Sequence, residues 1–180
     1  MRLKDKVAII TGGSRGIGFA TADAFLREGA KVAVAASSEK NAEAAVEKLK
    51  AIHPDAEVVG ISPNLGSFES VKEEFDKVEK QFGRIDILVN NAGVSESTPF
   101  TSYTEADFDR VIDLYVKGVF NATRAVVDGM IKNHSGVVLN TSSMVSISGQ
   151  PSGFAYPASK FAVNGTTISL ARELGPKGIR

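Results

Sequence analysis

The fold of the 180-residue chain is decided by the stretch VAIITGGSRGIG, residues 7–18. Its first four residues form an apolar run of strand length, and helical spacing of apolar residues starts at Gly16. Three spaced glycines lie between this strand and this helix, at Gly12, Gly16 and Gly18. Backbone approaches a pyrophosphate closely only where side chains are absent, and a helix N-terminus offers free N–H groups to an anion. A plain turn needs only one glycine, so the spacing favours a dinucleotide-binding strand–helix unit.

Short apolar runs alternate with amphipathic segments along the rest of the chain. This alternation predicts a single α/β domain, residues 1–180, with a doubly wound parallel sheet of the Rossmann type. The predicted strands are Val7–Ile10, Lys31–Ala35, Glu57–Ile61, Ile85–Val89 and a fifth that begins with Val137–Leu139. The predicted helices are Gly16–Glu28, one from Glu39, Phe68–Phe82, one from Thr104 to about Lys132, and Ala155–Leu174. In such sheets ligands bind outside the carboxyl ends of the strands.

Two helices carry more detailed predictions. In the first, Ile17, Ala20, Ala24 and Phe25 are expected to face the sheet. In the long helix, Thr104 and Asp107 have the spacing of an N-terminal capping box.

The composition excludes several classes of function. The formal net charge is zero and no basic run occurs, which argues against a nucleic-acid partner. The apolar run near the N-terminus is too short for a signal peptide or a membrane span. The chain has no cysteine, which excludes disulfides and thiol nucleophiles and is compatible with the cytoplasmic location that we expect. No cluster of His, Asp or Glu predicts a metal site.

The end of the second predicted strand bears on the choice of cofactor. An NAD site usually places an acid there to hold the ribose hydroxyls, but this chain has AASS at residues 35–38. Glu39 follows, where it more naturally opens the next helix. Arg15 in the glycine loop is able to pair with a 2′-phosphate, with Ser37 facing it. We therefore expect NADP(H), with NAD(H) as the less favoured alternative.

Three further segments carry chemical groups: NNAG at residues 90–93, NTSS at 140–143 and YPASK at 156–160. Tyr156 and Lys160 are spaced to share one helix face, and Ser143 precedes Tyr156 by thirteen residues. Together with the glycine loop, these segments resemble the short-chain dehydrogenase/reductase family over the whole span from Lys6 to Arg180.

The resemblance implies a role for each residue. Tyr156 would be the general acid that protonates a ketone oxygen, and the base in the reverse direction. A free phenol loses its proton only near pH 10, so Lys160 would stabilise the phenolate and also hold the nicotinamide ribose. Ser143, with Ser142 as the alternative, would hydrogen-bond the substrate oxygen. The cofactor-binding residues implied are Gly12, Ser14, Arg15, Ile17, Gly18, Ser37, Asn64, Leu65, Asn91, Ala92 and Gly93, together with Tyr156 and Lys160.

The chain departs from the family pattern at two places. Where the family has an asparagine in a pattern like Asp-x-Asn-x-x-Gly, the run DLYVKG at residues 113–118 has Tyr115. That asparagine helps to hold a proton-relay water, and a tyrosine side chain does not offer an amide. The chain also stops at Arg180, where family members enter a sixth strand. We therefore expect the sixth and seventh strands to be missing, and weak or no activity for these 180 residues alone.

The expected reaction is hydride transfer between NADP(H) and a small secondary alcohol or ketone. Residues 12–19 and 152–160 look closest to bacterial hydroxysteroid dehydrogenases of the bile-acid type, and 3-oxoacyl-acyl-carrier-protein reductases are the alternative. The stretch 127–134 has Asp128 among few basic residues, which disfavours an acidic carrier protein. A third hypothesis is a non-catalytic NADP(H)-binding regulator, to which Tyr115 gives some support.

Several apolar side chains are open to two interpretations. Met144, Val145, Ile147 and Phe154 form either an apolar wall for a substrate or packing beneath a loop. Members of the family build oligomers from the outer faces of the long helix and of the last helix. The resemblance therefore implies a homotetramer. Candidates for such contacts, and equally for the core, are Val111, Tyr115, Val119, Val126, Phe161 and Ile168.

Overall fold

The computed structural model describes residues 1–180 and contains one sheet of five parallel strands. The strands are β1 Val7–Thr11, β2 Lys31–Ala35, β3 Val58–Ile61, β4 Ile87–Asn90 and β5 Val137–Asn140. Their order in the sheet is β3-β2-β1-β4-β5, so the chain changes direction across the sheet between β1 and β4. The predicted doubly wound parallel sheet is confirmed. A crevice forms where the strand order reverses, outside the carboxyl ends of β1 and β4.

Seven α-helices connect and cover the strands. They are α1 Gly16–Arg27, α2 Glu39–Ile52, α3 Phe68–Phe82, α4 Glu105–Ile112, α5 Gly118–Lys132, α6 Val145–Ser148 and α7 Ala155–Leu174. Short 3₁₀ turns lie at Phe100–Ser102 and Gly175–Lys177. None of these helices combines the length and the apolar character that a membrane crossing requires.

Two apolar cores lie on opposite faces of the sheet, because successive side chains of a strand alternate between its faces. Val7 and Ile9 of β1 belong to the core beneath α3 and α5, and Ala8 and Ile10 belong to the core beneath α1 and α2. Asp86 closes the lower end of the sheet, since its buried carboxylate accepts a hydrogen bond from the Val7 N–H at 3.0 Å. This bond fastens the start of β1 to the residue before β4, at the end of the sheet opposite the crevice.

The face that α1 turns to the sheet differs from the prediction. Gly18, Ala22 and Leu26 are buried, whereas Ile17 is 72% exposed and Ala20 and Ala24 also face solvent. Of the four predicted residues only Phe25 packs against the core. The helix is rotated because Gly18 touches the glycine loop: a Cβ there would collide with the Gly12 carbonyl oxygen. The apolar side chain of Ile17 consequently projects from the start of the helix.

The long helix begins as predicted and is interrupted in the middle. Thr104 and Asp107 form the capping box, each side chain accepting from the other residue's backbone N–H. The helix then passes through a π-helical turn at Asp113–Lys117 between α4 and α5. A π turn holds one extra residue and is common at functional sites. The turn carries Tyr115, whose side chain it directs into the protein.

The sheet has five strands, as expected, but the last residues already extend it. Ile179 forms a parallel bridge with Gly136, and the Val138 N–H donates to the Arg180 carbonyl at 2.8 Å. These residues lie beside β5, on the side away from β4. The chain therefore occupies the position of a sixth strand for two residues.

The six candidates for contacts between subunits divide into two groups. Val111, Tyr115 and Val126 are buried core residues, and Val119 is partly buried. Phe161 and Ile168 on α7 are 53% and 62% exposed. Only these two of the six present large apolar surface to solvent.

Candidate active site

The glycine loop between β1 and α1 has the shape of a phosphate site. Gly12 and Gly16 have positive φ angles of 65° and 54°, which L side chains rarely adopt. Around the position of a Cβ on Gly16 nothing lies within 4 Å, so backbone is open to a ligand there. Arg15 precedes α1 without capping it, and the first turn has no acidic residue. The free N–H groups and the dipole of α1 thus fit the pyrophosphate of a dinucleotide.

Thr11 fixes the edge of this site and was missed by the sequence analysis. Its buried hydroxyl accepts hydrogen bonds from the N–H groups of Asn91 at 3.0 Å and Ala92 at 3.1 Å. The Asn91 side chain donates back to the carbonyls of Thr11 at 3.1 Å and Gly12 at 3.3 Å. The loop after β4 is thereby fastened to the glycine loop across the crevice. The Asn91 side chain therefore helps to shape the crevice where the resemblance implies that this residue contacts the cofactor.

A second missed residue, Asn121, positions the loop that follows β3. Its side chain is 2% exposed and donates to the Leu65 carbonyl at 2.7 Å. Asn64 turns the same loop, since its side-chain oxygen accepts from the Gly66 N–H at 3.0 Å. Asn121 on the long helix therefore holds the backbone of this loop. Asn64 itself is exposed and follows the end of the parallel strand β3. Asn64 thus lies at the carboxyl edge of the sheet, where the resemblance implies a contact with the cofactor.

The polar groups after β2 lie at the same edge of the sheet as the glycine loop, because β1 and β2 pair in register from Val7–Lys31 to Thr11–Ala35. Ser38 caps α2 by accepting from the Asn41 N–H, and Glu39 lies in the first turn of that helix, as predicted. Ser37 and Arg15 are exposed, and Arg15 makes no ion pair or side-chain hydrogen bond. No carboxylate therefore occupies the end of β2, and one free guanidinium lies nearby.

Lys160 and Tyr156 come together on α7 as their spacing predicts. Lys160 is only 4% exposed, and its ammonium donates to the Thr141 carbonyl at 2.6 Å. The same ammonium lies 5.6 Å from the centroid of the Tyr156 ring. Burial lowers the pKa of Lys160 from its ordinary 10.5 to about 8. An amine with this pKa is still mostly protonated at neutral pH, so it provides positive charge beside the phenol.

Tyr156 has a free hydroxyl. The hydrogen bonds of Tyr156 outside the helix ladder use its backbone: the N–H donates to the Glu96 carboxylate at 3.1 Å, and the carbonyl accepts from the Ser159 hydroxyl at 2.7 Å. Glu96 thus holds the start of α7, and its position was not predicted from the sequence. The phenol group remains available for a substrate.

The two serines after β5 have different surroundings. The Ser142 hydroxyl donates to the Asn164 side chain at 2.6 Å. The Ser143 hydroxyl only accepts, from the Val145 N–H at 3.4 Å, so its proton has no acceptor within the protein. Asn164 also donates to the Ser146 hydroxyl, which in turn donates to the Ser143 carbonyl at 2.6 Å. These bonds tie the Ser143 segment to α7, the helix that carries Tyr156 and Lys160.

The apolar residues around Ser143 are open to solvent. Met144 and Ile147 are each 73% exposed, and Phe154 is 53% exposed while its ring packs against Phe100. Of the two interpretations, packing beneath the loop is therefore wrong for Met144 and Ile147. They present apolar surface next to the Ser143 hydroxyl.

The family profile described as short chain dehydrogenase matches residues 6–180. The chain belongs to this family. A 3alpha-hydroxysteroid dehydrogenase of Mediterraneibacter gnavus is 52% identical over 180 residues, which are 100% of this chain and 72% of that protein. A 3-oxoacyl-acyl-carrier-protein reductase of Thermotoga maritima is 40% identical over 180 residues, with the same coverage of 100% and 72%.

Solved structures of dehydrogenases and reductases share the fold. NAD⁺-bound xylitol dehydrogenase superposes with a TM-score of 0.95 at 33% identity, covering 100% of this short-chain dehydrogenase chain and 69% of its own. A metagenomic short-chain oxidoreductase in complex with NADP superposes with a TM-score of 0.93 at 31% identity, covering 100% and 81%. One of these neighbours holds NAD⁺ and the other NADP, so the likeness alone does not choose between the two cofactors.

Proposed function

We propose that this short-chain dehydrogenase interconverts a secondary alcohol and a ketone with NADP(H), using Tyr156 as the general acid and base. The observation that carries the proposal is the buried ammonium of Lys160 beside the ring of Tyr156, whose hydroxyl is free. A positive charge in a partly desolvated place favours the phenolate over the phenol. Tyr156 is therefore suited to release a proton to a ketone oxygen and to recover it in the reverse direction.

Ser143 and the glycine loop complete the proposed site. The free hydroxyl proton of Ser143 suits it to donate to the substrate oxygen and so to orient the reacting carbon. The backbone of the glycine loop, the start of α1 and the loops after β3 and β4 would hold the dinucleotide. The nicotinamide, when bound, supplies or accepts the hydride.

A preference for NADP(H) over NAD(H) is supported by the charges at the edge of the sheet. The 2′-phosphate that distinguishes NADP(H) needs a cation, and a carboxylate at the end of β2 would repel it. Arg15 is exposed and has no partner, and the end of β2 has no acid. Ser37 offers a hydroxyl close to the same edge.

Replacing Arg15 with Ala tests this preference. We expect kcat/KM for NADPH to fall by about tenfold to a hundredfold, the equivalent of one lost charge-assisted hydrogen bond. The value for NADH should change by less than about threefold, because NADH lacks the 2′-phosphate that Arg15 is proposed to bind. Arg27→Ala is the matched control, since Arg27 pairs with Asp23 at the other end of α1. An equal loss for both cofactors would show that Arg15 does not read the 2′-phosphate.

For the substrate we propose a free hydrophobic molecule of the hydroxysteroid type. Met144 and Ile147 present apolar surface beside Ser143, and the relative from M. gnavus, named a 3alpha-hydroxysteroid dehydrogenase, is 52% identical. A carrier-protein thioester is the second candidate, supported by the 40% identical reductase. Against it, Asp128 on the late part of α5 pairs with Arg124 at 2.7 Å, so this surface offers an acidic partner no excess positive charge at that pair.

The decisive assay follows the loss of NADPH absorbance with three kinds of ketone: oxo-bile acids, an acetoacetyl thioester and simple cyclic ketones. We expect turnover of the oxo-bile acids with NADPH preferred over NADH. Turnover of the thioester alone would support the carrier-protein alternative. Tight NADPH binding without turnover of any ketone would contradict the enzymatic proposal and favour a regulator.

For the assembly we propose a homotetramer in the cytoplasm. The exposed Phe161 and Ile168 on α7, with Phe120 on α5, provide apolar surface for contacts between subunits. The cysteine-free composition is compatible with a reducing compartment.

A further inference from the structure

Tyr115 occupies the one position where the chain departs from the catalytic pattern, and the structure gives it specific contacts. It lies in the π turn between α4 and α5, and its side chain is 6% exposed. The widened turn brings the ring into the small cluster that also contains Val111 and Ala155, with Tyr156 packed against it. Tyr115 is therefore part of the wall behind the proposed acid and base.

The hydroxyl of Tyr115 is fully engaged by the loop after β4. It donates to the Val94 carbonyl at 2.6 Å and accepts from the Val94 N–H at 2.8 Å. Gly93 makes this approach feasible, because a Cβ at that position would lie 2.5 Å from the Tyr115 hydroxyl oxygen. With donor and acceptor both used, this hydroxyl is not available to pass a proton to Lys160. Tyr115 instead ties the loop of residues 91–94 to the long helix.

The ring of Tyr115 lies under the ammonium of Lys160. The distance from Lys160 Nζ to the ring centroid is 4.3 Å, against 5.6 Å for the ring of Tyr156. The rings of Tyr115 and Tyr156 meet edge to face with centroids 5.3 Å apart. Of the three N–H donors of the ammonium, one goes to the Thr141 carbonyl. No carboxylate pairs with this buried charge, so the aromatic face is its closest electrostatic partner besides the carbonyl.

We propose that Tyr115 is a positioning residue for Lys160: its ring face holds the ammonium beside Tyr156, and its hydroxyl fixes the loop that carries Gly93 and Val94. This inference rests on the proposed function, in which Lys160 assists Tyr156. The asparagine expected at this position would provide neither an aromatic face nor a side chain long enough to span to Val94. The substitution thus replaces one way of holding the catalytic lysine with another.

Three variants separate the ring from the hydroxyl. Tyr115→Phe keeps the ring and removes the bonds to Val94, Tyr115→Leu keeps an apolar side chain without a π face, and Tyr115→Asn introduces the family residue. We expect Phe to lower kcat by no more than about fivefold and Leu by at least about tenfold, since a desolvated cation–π contact is worth up to about a factor of thirty. The Asn variant should resemble Leu.

The pH profile of alcohol oxidation distinguishes this role from a merely structural one, because loss of a structural contact alone would not shift the profile along the pH axis. Without the ring the ammonium is held less firmly beside Tyr156, so the phenolate forms less readily. The acid limb of kcat/KM should therefore move to higher pH by about half a unit or more in the Leu variant, and by less than that in the Phe variant.

Only the groups that face Lys160 are close enough to influence this pH profile. They are Tyr156 on its own helix, Tyr115 from the π turn and the Thr141 carbonyl from β5. Further out, the charge of Arg110 on α4 acts on Tyr115, and Glu96 binds the Tyr156 backbone. Lys160 itself, whose pKa burial lowers to about 8, also titrates in this range, so the role of the ring is read from the difference between the Leu and Phe variants.

The outcomes distinguish the inference from the proposed function. If the Leu variant keeps the kcat and the acid limb of the unsubstituted protein, the role of Tyr115 is refuted while the catalytic assignment stands. A Phe variant as impaired as the Leu variant would also refute it, because the ring would then not matter. An Asn variant more active than the unsubstituted protein would mean that Tyr115 attenuates the site. Full activity of Tyr156→Phe would instead refute the proposed function itself.

Discussion

Replacing Tyr156 with Phe is expected to reduce turnover by about a thousandfold or more and to leave NADPH affinity within about twofold. The change removes only the hydroxyl, which makes no hydrogen bond within the protein. General acid–base catalysis contributes about a hundredfold to ten-thousandfold, and the phenol is the free proton donor whose ring lies beside the Lys160 ammonium. Steady-state ketone reduction gives the turnover, and fluorescence titration with NADPH gives the affinity.

Tyr103→Phe is the matched control for this experiment. The hydroxyl of Tyr103 is buried and lies beside Glu96 and the Ala155 backbone, without a well-formed hydrogen bond to either, so its removal takes away the same atom without taking away the proposed proton donor. Turnover of this control should stay within about twofold of the unsubstituted protein. If Tyr156→Phe retained its activity, the acid–base role would be wrong. If NADPH bound but neither the unsubstituted protein nor the Tyr103→Phe variant turned over any ketone, the protein would be the NADP(H)-binding regulator considered above.

The parts of the fold that follow from local rules could be predicted from the sequence. The capping box at Thr104 and Asp107 depends on two residues at a fixed spacing, and the structure contains it. The glycine loop is similarly local, because positive φ angles and absent side chains are properties of the residues themselves. The order of alternating strands and helices then leaves few topologies for the sheet.

The rotation of α1 about its own axis, which decides which of its residues face the sheet, could not be predicted from the spacing of apolar residues. Ile17, Ala20, Ala24 and Phe25 form a plausible apolar stripe, but the stripe formed by Gly18, Ala22 and Leu26 is the buried one. Tight contact of Gly18 with the glycine loop sets this rotation, and a glycine contributes nothing to an apolar stripe. The signal that could have found it is the glycine itself, since a glycine inside a helix often marks a close approach.

The residues that shape the site through side-chain hydrogen bonds were also missed. Thr11, Asn121 and Asn164 each hold a loop whose sequence position is more than fifteen residues away. Their partners are mainly backbone groups or short polar side chains, which carry no recognisable pattern along the chain. Spacing favours Ser143 over Ser142 as the substrate-binding serine. A physical argument for the same choice, that Asn164 engages the hydroxyl of Ser142 and not that of Ser143, needs the packed helix α7.

Replacing Lys160 with Met is expected to remove activity and to stabilise the fold at neutral pH. Turnover should fall by about a hundredfold or more, because the charge that favours the phenolate is lost. Burial lowers the pKa of Lys160 from 10.5 to about 8, so keeping this amine charged in the folded protein costs about 3 kcal/mol. Met loses the hydrogen bond to the Thr141 carbonyl, worth about 1 kcal/mol, and the contact of the ammonium with the Tyr115 ring, worth about 0.5–2 kcal/mol. The net gain in the free energy of unfolding should therefore be no more than about 1–1.5 kcal/mol, measured by urea denaturation.

The pH dependence of this gain tests its cause. The folded-state pKa of Lys160 lies below its unfolded value, so between pH 8 and 10.5 the unfolded chain binds more protons than the folded protein. Stability of the unsubstituted protein must therefore rise with pH across this window, relative to the Met variant, and the difference between them should shrink. Lys117→Met is the control, since this lysine is 54% exposed and should show no such dependence. A gap that stays constant from pH 7 to 10 would mean that packing, and not the buried charge, separates the variants. A shrinking gap would show that the fold gives up stability to keep a charged amine beside Tyr156, as its catalytic role requires.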